Sequence, residues 1–162
     1  MQDVATAEEM ETAKNLSSSR SKIFLETRAY LRQSLSTLFD LDPLEIPIKA
    51  HPGEPPSLPS GMGNISLSHC KDALTIVWHE FKIGIDIERT DRDFNYKKFA
   101  KKYFFQTNKS NHNYKLTRNM ILNQWCATEA AIKWDHGKLA KDIKNWQYYE
   151  KPKKLILSLI HI

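Results

Sequence analysis

Lys82-Ile83-Gly84-Ile85-Asp86-Ile87-Glu88-Arg89 alternates apolar and acidic residues through its second half. Side chains of a β-strand point to opposite faces with period two. Over residues 83–88 the three isoleucines therefore share one face, and Asp86 and Glu88 share the other. Two carboxylates side by side repel each other unless a cation offsets them. A hard divalent cation suits such an oxygen pair, because Mg²⁺ is typically held by one or two carboxylates plus waters and phosphate oxygens. The same residues also fit an ordinary solvated strand face, with Arg89 offsetting Glu88.

Two strand-like runs lie just upstream, at residues 64–68 and 74–79, the second rich in β-branched and aromatic residues. Further upstream, Ser17, Ser18 or Ser19 can cap a helix that starts near Arg20 and ends near Phe39. Its apolar stripe is Phe24, Leu31, Leu35 and Leu38. Residues 1–16 are polar with little periodicity and read as a loose arm or a frayed helix. Residues 40–62 carry six of the seven prolines and read as a loop.

Downstream, residues 95–105 predict a helix with Phe99, Tyr103 and Tyr96 on one side. Residues 106–117 form a polar, Asn-rich loop. Residues 118–135 predict a longer helix that buries Ile121, Leu122, Trp125 and Ile132 and ends at His136-Gly137. Trp125 and Trp134 read as core residues. Runs at 143–149 and 154–162 predict a terminal hairpin. Strands and helices in separate blocks indicate an α+β class rather than a doubly wound parallel sheet.

The chain has 162 residues, 41% hydrophobic and 27% charged, enough for one sizeable domain or two small halves sharing a core. No apolar run approaches the roughly 20 residues a membrane helix needs. The polar N-terminus lacks a signal core. The expectation is a cytoplasmic protein with no membrane partner. Cys70 and Cys126 make neither a metal-type spacing nor a disulfide framework, in keeping with a reducing compartment. A net charge of +5 and a pI of about 9.1 favour an anionic partner. No nucleic-acid-binding motif is visible.

Three further features bear on chemistry. Glu129 and Lys133 are four apart and share a helix face, as a common solvated pair also does. Arg28 and Arg32 share a face of the first long helix, where they could hold a phosphate or simply be solvated. Ser68-His69 ends a strand. It is no catalytic triad, although His69 could donate to a phosphate.

The order of these features is more telling than any one alone. Arg-x-x-Leu-Arg, a proline-rich loop with Gly-x-Pro, Asn-x-Ser-x-Ser-His, Gly-Ile-Asp-Ile-Glu, a helix ending in Phe-Phe and Trp-x-x-x-Glu-Ala-x-x-Lys follow one another. This series resembles the 4′-phosphopantetheinyl transferase superfamily, in its larger surfactin-synthetase-activating type, from about residue 17 onward. The resemblance implies two similar α+β halves related by a pseudo-twofold, dividing near residue 80, with a ligand cleft between them. The C-terminal half carries the metal motifs.

It implies transfer of the phosphopantetheine arm of coenzyme A to a serine of an apo acyl, peptidyl or polyketide carrier protein, releasing 3′,5′-ADP. The chain would act as a monomer. Asp86, Glu88 and Glu129 would ligate Mg²⁺. Glu129 and Lys133 would be the catalytic pair, Lys133 also contacting phosphate. Arg28, Ser68 and His69 would hold the nucleotide's phosphates. The helix bearing Phe99, Tyr103 and Phe104 would lie near the carrier dock.

The pattern departs from the family in three places. Gly53-Glu54-Pro55 stands where Gly-Lys-Pro is common, with Lys49 as a conceivable substitute. Thr128 precedes Glu129 where a lysine is usual. No glutamate follows Phe104-Phe105 within a few residues. The family's first strand is not evident before residue 17, and the last run stops without a polar tail, so an element is expected to be missing at each end. These departures keep open a non-catalytic relative that binds coenzyme A or a carrier protein. An Mg²⁺-dependent phosphodiesterase is the remaining alternative.

Overall fold

The computed structural model describes residues 4–50, 54–104, 117–149 and 154–157. Gly53, Phe105, most of the loop expected at 106–117 and the end of the last run lie outside them. Among the described residues helices accompany two small antiparallel sheets, so the class is α+β. No described helix is long and apolar enough to cross a membrane. The chain divides into two compact units, Met1–Gly61 and Met62–Ile162.

The first unit begins with α1 (Ala7–Lys14), inside the stretch read as a loose arm or a frayed helix. The cause is a capping box. Thr6 Oγ1 accepts from the Glu9 N–H at 3.2 Å, and the Glu9 carboxylate accepts from the Thr6 N–H at 2.9 Å. α2 (Ser18–Phe39) starts and ends where the sequence placed it. Its buried stripe is different. Arg28, Ala29, Leu31, Arg32 and Leu35 face inward, whereas Leu38 is exposed.

Two arginines can occupy that stripe because Glu9 is buried beside them. Arg32 donates to Glu9 from Nε at 3.0 Å and from Nη2 at 3.2 Å. Arg32 Nη1 donates to the carbonyls of Pro43 and Ile46, at 3.0 and 2.9 Å. One guanidinium thus ties α1, α2 and the turn at Pro43–Glu45 together.

In the second unit β1 (Asn64–His69) pairs antiparallel with β2 (Leu74–His79), from Asn64↔His79 to His69↔Leu74. Gly63 precedes β1 at φ +80°. A Cβ there would lie 2.7 Å from both Trp78 Nε1 and the His79 carbonyl, so only glycine fits.

α3 (Tyr96–Tyr103) packs Phe99 and Tyr103 on Trp125 of α4 (Arg118–Trp134), with ring centroids 4.7 and 5.6 Å apart. Ile121, Leu122, Trp125 and Ile132 of α4 are buried as expected. Trp134 is not; it is 43% exposed, edge-on to Trp146 and under Lys82. At the end of α4 it is His136, at φ +55°, that takes the left-handed turn. A short α5 (Leu139–Asp142) leads to a hairpin of β3 (Trp146–Tyr149) and β4 (Lys154–Leu157), within the two terminal runs.

The two compact units meet at Gly61–Met62. Within the second unit, β1 is tied to residues 85–87 by hydrogen bonds, so the first hairpin belongs with the acidic segment. Residues 83–88 themselves do not form the expected strand. The Ile85 and Ile87 amides donate to serine hydroxyls of β1 instead of to a neighbouring backbone.

Candidate active site

Asp86 is held from two sides. Ser68 Oγ donates to its Oδ1 at 2.7 Å, and Lys133 Nζ donates to the same oxygen at 2.8 Å. Lys133 also donates to the Ile85 carbonyl at 3.1 Å. The Asp86 side chain is only 3% exposed. Its second oxygen, Oδ2, is buried without a hydrogen-bond partner. A buried carboxylate oxygen left without a donor is costly, and a nearby cation relieves it.

Glu129 lies beside it on α4, one helical turn before Lys133. Its carboxyl is pushed up to about 7, first by burial, then by the neighbouring Asp86 carboxylate, with Glu88 adding and Lys133 opposing. Once protonated, Glu129 can donate to Asp86; ionised, the two repel. Cys126, one turn earlier, is pushed up to about 12 by burial and by the same acids, so its thiol is a poor nucleophile.

Gly84 explains how the acidic segment reaches α4. A Cβ at Gly84 would lie 2.0 Å from the Ala130 carbonyl oxygen and 2.5 Å from the Trp134 nitrogen. The two backbones approach so closely that no side chain fits, and this contact brings Asp86 to Lys133.

The residues expected at the metal divide. Asp86 and Glu129 are together. Glu88 is within electrostatic reach, but its carboxylate is paired with Arg92. Arg89 pairs with Asp72 and Asp91, not with Glu88. Among the described residues no three His, Cys, Asp or Glu side chains are gathered closely enough to hold a metal. Asp86, Glu88 and Glu129 are therefore neighbours and not a closed ligand set. The donor chemistry still fits a hard cation at Asp86 and Glu129, because one carboxylate oxygen lacks a partner and the crowded carboxyls retain a proton that a bound cation would displace.

The nucleotide-holding residues also divide. Ser68 is buried and engaged with Asp86, whereas His69 is exposed. Arg28 lies in the first unit, buried over the Phe24 ring and 3.9 Å from Glu9, its Nη1 without a hydrogen-bond partner. Burial holds its guanidinium below the usual value. The anion facing the Arg28–Arg32 pair is thus Glu9 of the chain itself. Thr128 is buried and donates to the Gln124 carbonyl at 2.8 Å, so position 128 faces the core. Glu54 and Lys49 are exposed.

Two features escaped the sequence reading. A recess of about 440 Å³ opens beside Glu88, lined by Cys70, Lys71, Arg89, Asp91, Arg92 and Asp93 as well. Lys97, Lys98, Lys101 and Lys102 form the exposed side of α3, while Phe99 and Tyr103 turn inward. The helical spacing of those lysines was the available signal. No family model matches the chain, and no curated protein matches it.

Proposed function

We propose that the chain is a Mg²⁺-dependent 4′-phosphopantetheinyl transferase, using coenzyme A and an apo carrier protein. The observation that carries the reading is the convergence of Asp86, Glu129 and Lys133, from motifs far apart in sequence, around a buried oxygen without a partner. A divalent cation bound there would neutralise charge on the pyrophosphate and the transferred phosphoryl group. Asp86 and Glu129 would hold it.

Lys133, fixed by Asp86 and the Ile85 carbonyl, presents a cation that does not have to be ordered when phosphate arrives. A carboxylate of the centre, directly or through water, would take the proton of the attacking serine. The recess beside Glu88, where Lys71, Arg89 and Arg92 stand among Glu88, Asp91 and Asp93, is large enough for part of the nucleotide. The lysine side of α3 complements an acidic carrier surface. The pseudo-twofold halves and the cleft between them belong to this proposal.

A second reading, a relative that binds coenzyme A without transfer, is favoured by one observation: Glu88 is committed to Arg92. Intact-protein mass spectrometry separates the two. An apo carrier incubated with the chain, coenzyme A and Mg²⁺ is expected to gain one phosphopantetheine, and EDTA to abolish the gain. Coenzyme A binding with no gain on several apo carriers would leave the second reading.

A further inference from the structure

Ser68 Oγ makes two hydrogen bonds of fixed direction. An ionised carboxylate only accepts, so the single hydroxyl proton goes to Asp86 Oδ1 at 2.7 Å. One lone pair accepts the Ile87 N–H at 3.2 Å. What remains is one lone pair, which cannot help a phosphate anion. Ser68 could donate to a phosphate only by releasing Asp86. Ser66, two residues earlier on the same face of β1, accepts the Ile85 N–H at 3.1 Å. Both serines are buried, at 7% and 5% exposure for Ser66 and Ser68.

Residues 85 and 87 are thereby pinned on either side of Asp86. Oδ1 receives both Ser68 and Lys133, and Oδ2 is the buried oxygen left without a hydrogen bond, in a carboxylate that also neighbours Glu129 and Cys126. We propose that Ser68 is a positioning residue for Asp86, with Ser66 supporting it, and that it does not hold the nucleotide. The hydroxyl clamps one carboxylate oxygen so that the other is presented to the cation. This rests on the reading of Asp86 as a cation ligand.

The test measures Mn²⁺ binding to the full chain by electron paramagnetic resonance, in wild type, Ser68→Ala and Ser68→Thr. Metal-free binding of adenosine 3′,5′-bisphosphate is followed by calorimetry. Loss of a hydrogen bond that orients a metal ligand lowers metal affinity about 10–100-fold. That loss is expected in Ser68→Ala, with recovery in Ser68→Thr and no change in nucleotide affinity. Wild-type Mn²⁺ affinity in Ser68→Ala, or a loss confined to the nucleotide, overturns the proposal alone. A wild-type chain that binds no Mn²⁺ overturns the reading of the centre and the proposal with it. If Ser68→Ala does not fold, the wild type still decides: Mg²⁺ should move the Ile87 amide resonance and metal-free nucleotide should not, and the reverse overturns the proposal.

Discussion

Glu129 is the residue where burial and charge act in the same direction, holding its carboxyl near 7 against an ordinary value of 4.5. The folded, metal-free chain therefore keeps a proton that the unfolded chain releases between about 4.5 and 7. Stability from this group is highest below that window and falls as pH rises through it. In EDTA, the urea midpoint of the wild type should drop more steeply between pH 5 and pH 8 than that of Glu129→Gln. Equal slopes would show that Glu129 titrates normally.

At this scale the sequence was informative where motif spacing exposed chemistry. Asp86, Glu129 and Lys133 do converge. The partners of Ser68 and Glu9 were not readable, because each is fixed by a contact 18 or 23 residues away.

Among the elements, α4 and α2 were legible from helical periodicity; Ser17 sits at the N-cap of α2, but its side chain makes no capping hydrogen bond. Two shortfalls have physical causes. Residues 83–88 alternate like a strand, but serine side chains take the amides that a strand ladder would use. α1 is legible only as a loose arm or a frayed helix because it lacks an apolar stripe; its signature is the Thr6-x-x-Glu9 capping box.

Each element gives a test. Gly84→Ala places a Cβ against the α4 backbone, which cannot rotate away, and should cost about 3 kcal/mol. Unchanged stability in urea would mean the approach is looser than described. Glu9→Ala strands two buried guanidiniums and should cost about 3–5 kcal/mol by chemical denaturation. A residue on a loose arm would lose almost nothing.

On the scale of the whole molecule, the α+β class followed from segregated helices and strands. The hydrogen bonds that bind β1 to residues 85–87 join the first hairpin to the acidic segment within one unit. All the residues of the candidate centre then lie in Met62–Ile162, and Arg28 lies in Met1–Gly61. The most direct measurement is the rate of phosphopantetheine transfer to an apo carrier by wild type and by Asp86→Ala, read by intact mass with both proteins shown to be folded. Transfer by the wild type and at least a 100-fold loss in Asp86→Ala is the expected result, on the order of what removing one charge-stabilising group costs. No transfer by the folded wild type, or undiminished transfer by Asp86→Ala, would contradict it.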